Sequence, residues 1–238
     1  PSGYSNVTVQ NMNVDTSNGS TLATAAGWIG QTSFGRDSTT NVIVDSCSSS
    51  GDIGINNGGG ICGSNAGRSG SLSVTNCYSS GNISSERGGG IFGHNAGVHG
   101  GTVTGTNCYS SGAITGAKSG GICGPWAAGT GTVTVTNCYS SGAITGAAGG
   151  IFGDGQTAGA TSSNTYVANG SWSDIDATNN LTGTPTYQTN GSLLTPVGTI
   201  WAENVDNTTP WILSINYVPP AAPICFPAGT PVTTDQGS

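Results

Sequence analysis

The stretch TNCYSSGAITGA occupies residues 106–117 and returns letter for letter at 136–147. A third version, TNCYSSGNISSE, begins at Thr75, and a looser one, VDSCSSSGDIGI, puts Cys47 where the others have Cys77, Cys108 and Cys138. Successive cysteines are therefore 30, 31 and 30 residues apart. A period of that length announces stacked structural repeats before any side-chain chemistry is considered.

Other columns keep the same beat. Val42, Leu72, Val103 and Val133 lie five residues before the cysteines, and Ile53, Ile83, Ile114 and Ile144 six after them. A second block follows as GGGICG (58–63), GGGIFG (88–93), GGICG (120–124) and GGIFG (149–153), which aligns Ile61, Ile91, Ile122 and Ile151. Each unit thus offers three short apolar patches separated by Gly, Ser and Asn, the punctuation of turns, and no segment holds a helical period. The pattern predicts an all-β fold, a parallel β-solenoid (β-helix) of five to six coils. Equivalent residues then stack about 4.8 Å apart into ladders. The glycines are expected at corners, where positive φ or a missing side chain is needed.

The flanks set the boundaries. NVTVQNM (6–12) aligns with NVIVDSC (41–47), which places Met12 in the cysteine column, and AGWIG (26–30) resembles the Gly-Ile-Gly block. Residues 1–40 therefore read as a degenerate N-terminal coil and 41–160 as the repeats. Residues 161–222 read as a last coil and a C-terminal cap built on Trp201, Trp211 and Tyr217, and 223–238 as the start of a different module.

Composition narrows the function. Only 6% of the 238 residues are charged, and four Lys plus Arg against eleven Asp plus Glu give a net charge of -7. Nucleic acid is excluded as a partner, because phosphate binding needs clustered basic side chains. No run of eighteen apolar residues exists, so no membrane span is expected. Cys62 and Cys123 fall two coils apart, beyond disulfide reach, and the stacked Cys47, Cys77, Cys108 and Cys138 point in parallel, so buried free thiols are expected. No Cys-x-x-Cys pair with a nearby histidine suggests a metal, and no cofactor is implied. His94 and His99 read as residues of a solvated loop. Thr102, Thr104 and Thr106, echoed by Thr132, Thr134 and Thr136, read as the solvent face of a strand. Asp52, Glu86, Arg87 and Lys118 look scattered, unlike the convergent carboxylates and basic groups of a polysaccharide-cleaving β-helix.

The pairing of NCYSSG with a downstream GGIFG resembles the GLUG-type repeats of bacterial surface proteins, adhesins and some large-virus proteins, over roughly residues 41–160. WAENVDNTTPWIL is similar to what often closes such arrays. The resemblance implies a β-solenoid with surface, adhesive or structural roles and no shared active site. CFPAGTPVTTDQG, from Cys225 to Gly237, resembles the opening of Hint modules, the self-processing fold of inteins and hedgehog-type proteins. By that resemblance Cys225 is the catalytic nucleophile, turning the Ile224–Cys225 amide into a thioester. The Thr-x-x-His block of that family is not in this sequence, so the chemistry is expected only in a longer precursor.

The reading is thus a non-enzymatic structural or adhesive solenoid, a stalk or fibre subunit that self-associates and is extracellular, on a cell or virion surface. A glycan or host-surface component is its expected ligand. The alternatives are a carbohydrate- or ice-binding solenoid and a polysaccharide-degrading β-helix enzyme.

Overall fold

The computed structural model describes residues 6–16, 18–136, 138–145, 148–155, 157–163, 166–167, 201–202 and 212–213. Alternating Val or Leu with Thr or Ser, as in SLSVT and TVTVT, suits a strand with one apolar face. Such segments form β1 (Thr8–Gln10), β3 (Val42–Asp45), β5 (Ser71–Thr75), β7 (Thr102–Thr106), β9 (Thr132–Thr136) and β11 (Ala160–Ser163). They lie side by side in that order as one parallel sheet. Between them come the short strands β2 (Asn13–Val14), β4 (Ser48–Ser49), β6 (Tyr78–Ser79), β8 (Tyr109–Ser110), β10 (Tyr139–Ser140) and β12 (Tyr166–Val167), which make a second parallel sheet. Single parallel bridges along Ile53, Ile83, Ile114 and Ile144, and along Gly59, Gly89, Gly120 and Gly149, complete each turn. The protein is a β-solenoid.

It has about four complete turns with a partial turn at either end, fewer than the five to six expected from the repeat count. The N-terminal stretch explains the difference. β1 and β2 stack in register on β3 and β4. The run from Asn13 to Gly27 is nonetheless three residues longer than its partner from Ser48 to Gly59, and none of its described residues makes a bridge to Ile53. Met12 does take the cysteine register, its carbonyl accepting the Ser48 N–H at 2.8 Å, yet its side chain is 38% exposed. Farther on, β13 (Trp201–Ala202) and β14 (Ile212–Leu213) pair antiparallel. Trp211, Tyr217 and all of 223–238, including Cys225, lie outside the described residues.

The interior is built of ladders. Val42, Leu72, Val103 and Val133 form one, the Ile53 and Ile61 columns two more, and all are essentially inaccessible to water. Packing adjusts where a column is not uniform. Phe92 follows Cys62 and precedes Cys123, with Phe152 next, so large and small side chains alternate along one row. Room for Phe92 comes from Gly105, the one glycine among Val44, Val74 and Val135, since a Cβ there would lie 3.0 Å from the Phe92 ring. Loss of one apolar side chain is thus the gain of another.

The glycines serve both purposes expected of them, positive φ and a missing side chain, but at different places. Positive-φ corners are shared by glycine, as at Gly67 and Gly97 (φ 65° and 70°), and asparagine: Asn76 and Asn107 (φ 57° and 53°) precede their cysteines, and Asn65 and Asn95 (φ 57° and 61°) follow the Gly-Ile block. Asparagine tolerates this conformation, and its amide can continue the ladder. The Asn76 amide donates to Asp45 Oδ1 at 2.9 Å, and the Asn107 amide to Asn76 Oδ1 at 3.1 Å. The block glycines instead allow close approach. A Cβ on Gly60, Gly90 or Gly121 would overlap the serine of the second sheet, Ser79, Ser110 or Ser140, and the carbonyl of the next turn, that of Gly90, Gly121 or Gly150. The cross-section is pinched there to backbone against serine.

Two substitutions test these roles. Ile114→Asp places a carboxylate between Ile83 and Ile144, and it should destabilise by about 4 kcal/mol or more in denaturant unfolding. Gly90→Ala adds one methyl group against backbone, and should lower the melting temperature far more than Ser84→Ala on an exposed site.

Candidate functional site

In a stack, most positions are dictated by the ladder above and below, so a residue that breaks its column is conspicuous. Columns break together at one corner. Asn57, Arg87 and Lys118 occupy equivalent left-handed positions, with φ of 68°, 69° and 61°. The Asn57 N–H donates to the Glu86 carbonyl at 3.3 Å and the Arg87 N–H to the Ala117 carbonyl at 3.1 Å. A neighbouring pair of columns runs Ser64, His94, Pro125, Asp154 and Asn65, Asn95, Trp126, Gly155, again tied turn to turn by Asn65 N–H to His94, Asn95 N–H to Pro125 and Trp126 N–H to Asp154. The two sets touch, because the His94 N–H donates to the Asn57 carbonyl and the Asp154 N–H to the Lys118 carbonyl.

Chemically varied side chains therefore converge where the repeat supplies only Asn and Ser. The Arg87 guanidinium lies 5.2 Å from the centroid of the Trp126 ring and pairs with Glu86 at 3.4 Å. His94 meets the same indole edge-on, with centroids 4.9 Å apart. Trp126 is 41% exposed, whereas His94 is only 8% exposed. His94 Nε2, Arg87 Nε and Asn57 Oδ1 are buried with no hydrogen-bond partner. Burial, with a further push from Arg87, lowers the His94 pKa to about 4. The imidazole is thus neutral at ordinary pH, too weak a base to take a proton readily.

Several expectations change here. His94 is not a solvated loop residue: the turn that follows GGIFG folds back against the next coil and buries it, while His99 is exposed as expected. Arg87 and Lys118 are not scattered but stacked, a relation the sequence columns carry, since each lies ten residues after its repeat cysteine, Cys77 or Cys108. Asp52 stands apart, its Oδ1 accepting the Asn82 N–H of the next turn at 2.8 Å. That bond makes it part of the stacking.

The remaining candidates are accounted for by structure. Cys47, Cys77, Cys108 and Cys138 are buried free thiols, each Sγ donating at 3.2–3.4 Å to the carbonyl two residues earlier. Cys62 and Cys123 are separated by Phe92 in the same row. Burial pushes the thiols of Cys62, Cys77, Cys123 and Cys138 up, away from the reactive thiolate. No group of three His, Cys, Asp or Glu side chains suited to a metal occurs among the described residues. On the first sheet, Thr102, Thr132 and Thr134 are exposed and Thr104, Thr106 and Thr136 half-buried. The hydroxyls bond along the stack, Thr104 to Ser73 at 3.1 Å and Thr134 with Thr161 at 3.3 Å. Tyr78, Tyr109 and Tyr139 stack at 5.1 and 5.2 Å, and Tyr109 meets Ser141 Oγ at 2.6 Å.

No family model, no curated protein and no solved structure matches this chain.

The buried histidine gives a pH signature. Its folded pKa, about 4, lies below the unfolded value of about 6.5, so only the unfolded chain takes up a proton between them. Stability is therefore full above pH 6.5 and declines as pH falls toward 4, by roughly 2–3 kcal/mol from this group. Melting temperatures measured across that range should show the decline, and His94→Gln should flatten it.

Proposed function

We propose that the chain is a non-enzymatic structural and adhesive module, a stalk or fibre subunit displayed outside a cell or on a virion. The observation that carries this reading is the unbroken in-register stack, in which four ladders run through every complete turn. Such a body is a short rigid rod, and its exposed surface is free to vary from turn to turn without loss of the fold. The likeness of NCYSSG and GGIFG to GLUG-type repeats supports the same role. The likeness of CFPAGTPVTTDQG to a Hint opening supports release from a precursor in which Cys225 attacks its own preceding carbonyl. β1 stands at the edge of the first sheet, so end-to-end contact between copies, extending the rod into a fibre, would form there.

Beads coated with the purified chain provide the test. They should be retained on immobilised cell-surface glycans and should leave polygalacturonate uncut, with no new reducing ends. Release of reducing ends would replace this reading with the polysaccharide-degrading one, and absence of retention on any surface would remove the adhesive part.

A further inference from the structure

We infer that the corner around Trp126 is a saccharide-binding site, which holds a pyranose ring against the exposed indole. The inference rests on the adhesive reading above and supplies the ligand class that such a module would hold.

The first support is the conformation of Trp126 itself. It stands where neighbouring turns have Asn65 and Asn95, in left-handed backbone at φ 55°. A bulky residue is an outlier in that region, and an outlier of this kind is a reason to look for function. Core packing does not explain it, because 41% of the residue is open to solvent.

The second support is that adjoining turns are shaped around the indole. In the next turn, a Cβ on Gly155 would overlap Cδ1 and Nε1 of the ring. In the previous turn, Arg87 lies over the ring and His94 packs against it, more than nine-tenths buried and with Nε2 unpartnered. Three successive turns thus hold one aromatic plate in place and leave part of it uncovered.

The third support is the chemistry around the plate. Arg87 and Lys118 are two of only four Lys and Arg residues in the chain, and they are stacked here beside Glu86. An apolar surface with a few convergent polar groups is the general form of a small-ligand site. A sugar matches both parts. The C–H face of a pyranose packs on an aromatic ring, and its hydroxyls both donate to a carboxylate and accept from a guanidinium or ammonium group.

The full chain, labelled with nitrogen-15, is titrated with cellotetraose, chitotetraose and tetragalacturonate. Of the five tryptophan indole signals expected from the sequence, the one lost in Trp126→Asn identifies Trp126. That signal should shift with at least one tetrasaccharide, and Trp126→Asn should weaken binding tenfold or more. Its melting temperature should equal or exceed that of the parent, because asparagine suits the left-handed position, and Thr104→Ala should leave binding unchanged. A shift with tetragalacturonate that fades in Lys118→Ala assigns the basic column to a carboxylate. A shift with the neutral sugars alone assigns recognition to the ring face, and both outcomes support the site. No shift of the Trp126 signal with any of the three, or equal affinity in Trp126→Asn, overturns it. Beads still retained on glycans in that case would leave the adhesive reading standing without this site.

Discussion

The constraint on which everything else depends is the hydrogen bond from one turn to the equivalent residue of the next. It fixes the separation of turns near 5 Å, as the tyrosine rings at 5.1 and 5.2 Å record, and it leaves no freedom to shift one turn against another. Every side chain then has the equivalent residue of the next turn above it and that of the previous turn below it. An isoleucine column can be dry and uniform, but a charged column would repel itself, which is why only 6% of the chain is charged. The same spacing forces compensation inside. Phe92 is wider than one turn allows, and the missing side chain at Gly105 makes room for it.

Much of this was legible in the sequence because stacking converts sequence period into spatial neighbourhood. The columns of Val42, Cys47, Ile53 and Ile61 are aligned in space as they align in text. What the text did not carry is the reason for each residue type. Glycine reads as a turn residue, yet at Gly90 the decisive fact is contact with Ser110 and Gly121, a relation across the cross-section that no local window contains. Asparagine before cysteine reads as punctuation, and it proves to be both the left-handed corner and the amide ladder beside it.

The Trp126 corner was missed for a related reason. Arg87 and Lys118 belong to one column, but the segments around them, SSERGGG and TGAKSGG, match only at their last two glycines. A signal was present in the sequence all the same. After aligning the Gly-Ile blocks, the residues that follow read SNAG, HNAG and PWAAG. The third replaces by tryptophan the asparagine that the two preceding turns carry at this position. Reading for departures from the repeat, after reading for the repeat, would have found it.

That distinction separates the two kinds of information a solenoid carries. Ladder residues are specified by their neighbours along the axis, so an identical letter in the next turn adds stability and says nothing of a ligand. A residue that departs from its column loses that mutual support. At Trp126 the backbone is strained, and at His94 and Arg87 buried nitrogens go without partners, a cost that Ser64, in the His94 position of the preceding turn, avoids by donating to the His94 carbonyl at 3.1 Å. Partial compensation is visible in the contact of Arg87 with the indole, but that contact is itself part of the departure. Departures gathered at one corner over three consecutive turns, with the ladders on the other walls intact, are a local concession made by an otherwise self-consistent stack. In a fold whose stability comes from repetition, such a concession is where recognition of something outside the protein can be built without weakening the rod.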